Sequence, residues 1–222
     1  MPEPLTDGDP GAVLFDLDGT LADTAPDLGA ALNHLRLARG LPELPIATVR
    51  PYASMGARGL LRAGFGLAPE DAGYDELRDA FLERYEQGLC VHTRLFPGMA
   101  DLLGALEARG TAWGIVTNKT ERFTVPLVAA LGVKPACVVC GDTTPHAKPH
   151  PAPLLHAAAA LGLAPERCCY VGDDLRDVQA ARAAGMRSVA VEYGYSGVDN
   201  GGPRAWGADM VIAQPLELLA CL

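Results

Sequence analysis

Four short segments of this 222-residue chain carry side chains that can do chemistry together. The first is Asp16-Leu17-Asp18-Gly19-Thr20. Two carboxylates one residue apart, followed by a glycine that lets the chain turn, offer a nucleophile, a second acid or base, and oxygen ligands for a hard cation. The same pattern also serves loop turns and calcium loops, where Asp and Gly act for local backbone reasons. The second, Thr117-Asn118-Lys119, groups a hydroxyl, an amide and backbone N–H donors suited to an anion. Thr or Asn there is equally an ordinary helix cap. The third is Lys148, which Pro149 pushes toward an extended conformation; an isolated lysine is otherwise a solvated charge. The fourth, Gly172-Asp173-Asp174-Leu175-Arg176-Asp177, holds three carboxylates that repel one another unless a cation compensates, which points to a metal site. A helix N-terminus would also favour Asp174 and Asp177 through its dipole.

These segments need a frame that brings them to one place. Short, apolar, β-branched runs at residues 12–16, 112–117, 136–140, 168–172, 188–191 and 210–212 read as strands buried on both faces. Helical patterns at 98–109, 120–131, 151–161 and 175–184 alternate with them, each closed by a nearby glycine. Alternation of this kind predicts a parallel α/β sheet with right-handed crossovers and helices on both faces. All four chemical segments then fall at or just beyond carboxyl ends of strands, the edge where ligands bind in such sheets. Residues 24–95 break the alternation. They contain helical patterns at 28–37 and 75–85 but no convincing central strand, so the chain divides into a core of residues 1–23 and 96–222 and a helical insert of residues 24–95.

Composition narrows the function further. With 49% apolar and 20% charged residues the chain folds around a core. Eighteen basic against 27 acidic residues give a formal charge of −9, which argues against nucleic acid as a partner. No apolar stretch approaches the roughly 20 residues of a membrane span, and the first residues lack the basic and apolar parts of a secretory signal. A cytoplasmic protein, monomeric or homodimeric, is expected. Cys137-Val138-Val139-Cys140 reads as strand with cysteines as small hydrophobes, since no second such pair completes a zinc site. The five histidines do not cluster as ligands; His92 stands out only by bordering the junction between insert and core.

Asp16-x-Asp18-Gly19-Thr20, Thr117-Asn118, Lys148-Pro149 and Gly172-Asp173-x-x-x-Asp177, in this order and spacing, resemble the haloacid dehalogenase superfamily. Within it the chain resembles the phosphoglycolate phosphatase group. It also resembles the related N-acetylmuramic acid 6-phosphate phosphatases through residues 81–85, 91–93, 113–119, 172–177 and 206–209. The resemblance implies a Rossmann-like core with a helical cap and a magnesium-dependent phosphomonoesterase for a small phosphorylated metabolite. It implies Asp16 as nucleophile and Asp18 as acid and base. The Asp16 carboxylate, the Asp18 backbone carbonyl and Asp173 would hold Mg2+, and Thr117, Asn118 and Lys148 the phosphoryl group. Asp177, with Asp174 as the other candidate, would orient Lys148 or a metal-bound water.

The cap should select the alcohol. Arg58, in Ser54-Met55-Gly56-Ala57-Arg58-Gly59, can meet a substrate carboxylate or be a surface charge. Three other readings compete. A phosphomutase would use the same aspartates, although Thr20 after Gly19 favours a phosphatase. A dehalogenase needs one aspartate and no metal, so Asp18 and Asp173 count against it. A non-catalytic binding module would not need the motifs intact.

Overall fold

The computed structural model describes residues 10–196, 200–220 and 222; residues 1–9, read above for a leader, lie outside them. Its strands are β1 (Ala12–Phe15), β2 (Ala22–Asp23), β3 (Arg94–Leu95), β4 (Ala112–Val116), β5 (Val138–Val139), β6 (Cys168–Gly172), β7 (Arg187–Val191) and β8 (Met210–Ile212). Its helices are α1 (Ala25–Leu37), α2 (Ile46–Val49), α3 (Gly56–Phe65), α4 (Tyr74–Gln87), α5 (Met99–Ala108), α6 (Glu121–Leu131), α7 (Ala152–Ala160) and α8 (Leu175–Ala184).

Six strands form one parallel sheet in the order β5-β4-β1-β6-β7-β8. Alternate β1 residues face opposite ways. Val13 and Phe15 join Leu102, Leu106 and Leu127 on one face, whereas Ala12 and Leu14 join Leu154, Ala157 and Ala181 on the other. Burial of both faces is why the strands read as continuous apolar runs. The order reverses direction at β1, and a crevice opens there beyond the carboxyl ends of β1, β4 and β6. Asp16, Thr117 and Asp173 each follow the last residue of one of these strands.

Where strand 136–140 was expected, β5 keeps only two residues. It is an edge strand, paired with β4 alone through Ile115–Val138 and Val116–Val139. Cys137 and Cys140 flank it as free thiols.

The segment between β2 and β3 departs more from the reading. It contains four helices rather than two, and β2 and β3 join its ends as an antiparallel ribbon, Ala22 opposite Leu95 and Asp23 opposite Arg94. Helix α3 was hidden by its three glycines, which lower helix propensity. One of them has a packing reason: a Cβ on Gly64 would run into the Leu32 side chain of α1. Helices α1, α3 and α4 pack on one another, and their apolar faces continue into the sheet's core cluster.

The ribbon is tied down by a buried charge. Asp27, in the first turn of α1, accepts hydrogen bonds from His92 N (2.9 Å), Thr93 N (2.8 Å) and Thr93 Oγ1 (2.7 Å). Helix α1 has no side-chain cap of its own; instead the Tyr195 hydroxyl accepts from Thr24 N (2.7 Å) and Ala25 N (2.8 Å). Replacing Asp27 leaves buried backbone donors without partners. Asp27→Ala is therefore expected to reduce unfolding free energy by about 3 kcal/mol in urea denaturation. A change below about 0.5 kcal/mol would show that the clamp adds nothing to stability.

Candidate active site

The turn after β1 sets the first carboxylates. Its backbone hydrogen bonds are accepted by the carbonyls of Asp16, Leu17 and Ala22, and that of Asp18 accepts none of these. Gly19 closes the turn at φ 85°, and a Cβ there would collide with the Asp173 carboxylate. Both the left-handed backbone and the close approach demand glycine.

Helix α8 sets the others through a capping box. Asp174 accepts from Arg176 N (2.9 Å), and Asp177 Oδ2 accepts from Asp174 N (3.1 Å). The expected ambiguity between these residues resolves in space. Asp177 Oδ1 lies 2.8 Å from Lys148 Nζ, whereas Asp174 pairs with Arg176 Nε at 2.9 Å. Gly172 is glycine because a Cβ there would overlap Asp177.

Lys148 is 5% exposed, and its Nζ also lies 2.9 Å from Asp16 Oδ1. That approach is an ion pair outside hydrogen-bonding geometry, so Asp16 Oδ1 remains a buried oxygen without a hydrogen-bond partner. The Tyr170 hydroxyl, 2.6 Å from Nζ, completes the lysine's surroundings. The segment is held by reciprocal bonds: Asn118 Nδ2 donates to Lys148 O, and Lys148 N donates to Asn118 Oδ1, both at 2.9 Å. Thr117 Oγ1 accepts from Lys119 N at 3.2 Å, and Thr117 and Asn118 both face the cavity.

Burial dominates the electrostatics. It pushes the Asp16 carboxyl up to about 6 against the pull of Lys148, and Asp177 and Asp18 add to the rise. Asp173 is raised well above the usual carboxylate range, first by burial and then by Asp16 and Asp177. Its oxygens accept from Tyr195 N (2.8 Å), Ser54 Oγ (3.1 Å) and Thr20 Oγ1 (3.4 Å). Burial would lower Lys148, but Asp16 and Asp177 more than reverse this and keep it charged.

Oxygens of Asp16, Asp173 and Asp177 lie within 4.8 Å of one another. Three carboxylates are buried together with one lysine that pairs with only two of them, Asp16 and Asp177, and one oxygen has no hydrogen-bond partner. A divalent cation fits that imbalance and suits an all-oxygen donor set. Asp18's side chain stands apart. Its Oδ1 accepts from the Thr24 hydroxyl and from Lys119 Nζ, the latter at 2.8 Å.

Sequence reasoning gave Lys119 no role, although it directly follows Thr117-Asn118. It also left Arg176 unassigned, and both side chains line the cavity. Arg58 is exposed and is not among the lining residues. Arg176 Nη2 reaches across to the Ser54 carbonyl at 2.8 Å. His92 is exposed and contributes only its backbone N–H to Asp27.

A doubly wound α/β enzyme with a carboxylate and lysine cluster at its switch point is the class these features define. Residues 13–191 match the sequence model of the haloacid dehalogenase-like hydrolases, and the chain belongs to that family. It is 45% identical over 209 residues to the N-acetylmuramic acid 6-phosphate phosphatase of Pseudomonas putida KT2440, covering 93% of each chain. It is 46% identical over 211 residues to the phosphoglycolate phosphatase of Xanthomonas campestris pv. campestris 8004, covering 94% of this chain and 95% of that one. Among solved structures, that of a predicted phosphoglycolate phosphatase from Haemophilus somnus 129PT superposes with a TM-score of 0.84 at 27% identity, over 97% of this chain and 99% of that one.

The buried ion pairs generate a stability prediction. Lys148→Ala leaves Asp16 and Asp177 without their cation, which in comparable buried pairs costs roughly 3–5 kcal/mol. Urea denaturation of the metal-free variant should show a loss of that order. A loss under about 1 kcal/mol would mean that the lysine is not the buried charge partner described.

Proposed function

We propose that the chain is a magnesium-dependent phosphomonoesterase of the cytoplasm that hydrolyses a small phosphate ester through an aspartyl-phosphate. The observation that carries this reading is Asp16. It sits at the switch point with a hydrogen-bond-free oxygen, beside a buried lysine and facing a cavity of about 280 Å³.

In this reading residues 1–23 and 96–222 carry the chemistry and residues 24–95 cap it. Thr117 Oγ1, the Asn118 backbone and the Lys148 ammonium hold the phosphoryl oxygens and stabilise charge in the transition state. A carboxylate oxygen of Asp16 bonds to phosphorus as the ester P–O bond breaks. Asp18 passes its proton to the departing alkoxide, and then takes one from the water that releases phosphate and restores Asp16. Thr24 and Lys119 both bind Asp18 through Oδ1, which leaves Oδ2 for the proton. The Asp16 and Asp173 carboxylates and the Asp18 carbonyl would hold Mg2+, which would supply the positive charge that lets an anionic nucleophile meet an anionic ester. Asp177 fixes the Lys148 ammonium, and Asp174 fixes Arg176.

Two substrates come from the relatives' names, 2-phosphoglycolate and N-acetylmuramic acid 6-phosphate. One observation favours the larger. The insert's side of the cavity is apolar, with Leu28, Phe81 and Leu82, and Phe123 of α6 extends that wall. A sugar with acetyl and lactyl groups has C–H faces to lay against it, whereas glycolate has a single methylene.

Phosphate release from both esters, with and without Mg2+, tests the proposal. Asp16→Asn should abolish turnover with folding intact, since an amide cannot form the acyl-phosphate; activity within tenfold of wild type would overturn the nucleophile assignment. Saturating Mg2+ at about 100 times its dissociation constant should stabilise the wild-type protein by about 2.7 kcal/mol. Asp173→Ala should lose most of that gain, and an equal gain in both proteins would remove Asp173 from the metal site.

A further inference from the structure

Tyr85 is a polar group in the cavity wall whose O–H has no acceptor. It lies on α4, is 2% exposed, makes no hydrogen bond of good geometry, and has beside its hydroxyl only the Lys119 ammonium, which is itself a donor. The ring is held firmly, 6.4 Å from the stacked ring of Phe81 and 5.7 Å from that of Phe123. Lys119 Nζ lies 4.9 Å from the ring centroid while pairing with Asp18 at 2.8 Å.

Filling an apolar wall needs only phenylalanine, as at the neighbouring positions 81 and 123. A buried hydroxyl without a partner is costly and is retained where something binds it. Burial pushes the phenol up to about 12, so at neutral pH it is an un-ionised donor. Asp18 is the group proposed to protonate the departing alcohol, and the Lys119 ammonium joins it to the Tyr85 ring. Tyr85 therefore stands on the alcohol side of the site rather than the phosphoryl side.

We propose that Tyr85 is a specificity-determining residue whose hydroxyl donates a hydrogen bond to an acceptor oxygen of the substrate's alcohol portion, with the Lys119 ammonium alongside. The inference rests on the phosphomonoesterase reading and names the class of alcohol: one that carries a carboxylate, carbonyl or hydroxyl oxygen besides the ester oxygen.

Tyr85→Phe removes one oxygen and keeps the ring. The experiment compares kcat/KM on ethyl phosphate with that on the better of 2-phosphoglycolate and N-acetylmuramic acid 6-phosphate. The ratio favouring the oxygen-bearing ester should fall about tenfold in the variant, and the Tm should equal or exceed that of wild type. A ratio unchanged within twofold overturns the inference. So does a Tm lowered by several degrees, which would show the hydroxyl bonded within the fold. Wild-type protein that releases phosphate from none of the three esters overturns the phosphomonoesterase reading and the inference with it. An active wild type with an unchanged ratio overturns the inference alone.

Discussion

Three carboxylates buried together with a single lysine to pair with two of them is the constraint on which the rest of the structure depends. Lys148 pairs with Asp16 and Asp177, Asp173 lies against both carboxylates without reaching the lysine, and burial raises Asp16 and Asp173. Such a cluster persists only if the fold over-determines each side chain. The chain does this with elements spaced far apart in sequence. A left-handed glycine brings the β1 turn against Asp173, a capping box aims Asp177, and Asn118 clamps the backbone of Lys148. Parallel strands crossing over at β1 place these pieces side by side, which no local segment could do.

The remaining charged lining residues pair off. Lys119 goes to Asp18 and Arg176 goes to Asp174, so neither relieves the central cluster. That separation leaves the central carboxylates as an all-oxygen cluster with which a hard cation is compatible. Each pair neutralises its own carboxylate, and the net negative charge collects where Asp16, Asp173 and Asp177 converge. Arg176 and Ser54 also join the two parts of the chain. The arginine donates to the Ser54 carbonyl while the Ser54 hydroxyl donates to Asp173, so the loop before α3 is bonded both to the helix that carries Asp177 and to a carboxylate of the cluster.

Much of this was legible in the sequence, for physical reasons. Strand β6 ends where its apolar run ends, because burial along its whole length leaves no charged residue inside it, and helix α8 ends at the left-handed Gly185. The positions of Asp16, Thr117 and Asp173 followed from the strand ends, whereas Lys148 lies well beyond β5 and is placed by Asn118. The insert was harder. Helix α3 holds three glycines, of which Gly64 has its value in close packing on Leu32 of α1, and a propensity argument counts only their cost. The two-residue ribbon of β2 and β3 carries no periodic signal at all. Arg58 stands between glycines in the sequence yet is exposed, whereas Arg176 and Lys119, which nothing but adjacency to the motifs marks in the sequence, line the cavity. Side-chain direction in the 3-10 turn of Arg50–Met55, which leads into α3, is set by tertiary packing, which spacing along the chain does not encode.

The insert's share of the cavity wall says how recognition must work. Leu28, Ala53, Ser54, Met55, Gly56, Ala57, Phe81, Leu82 and Tyr85 include no charged side chain among the described residues. Every charged group lining the cavity belongs to the core and already has a partner of opposite sign. On the proposed function, an incoming phosphate would be bound by charge from below, while the alcohol above it would be selected by shape and by the few uncharged polar groups the insert presents. Discrimination built on apolar fit alone is weak for related alcohols, whereas a buried donor that must be satisfied rejects a ligand lacking the acceptor more strongly. The same arrangement keeps the chemistry constant while the alcohol varies, since changes on α1, α3 or α4 can reshape the upper wall without moving a charge in the cluster below.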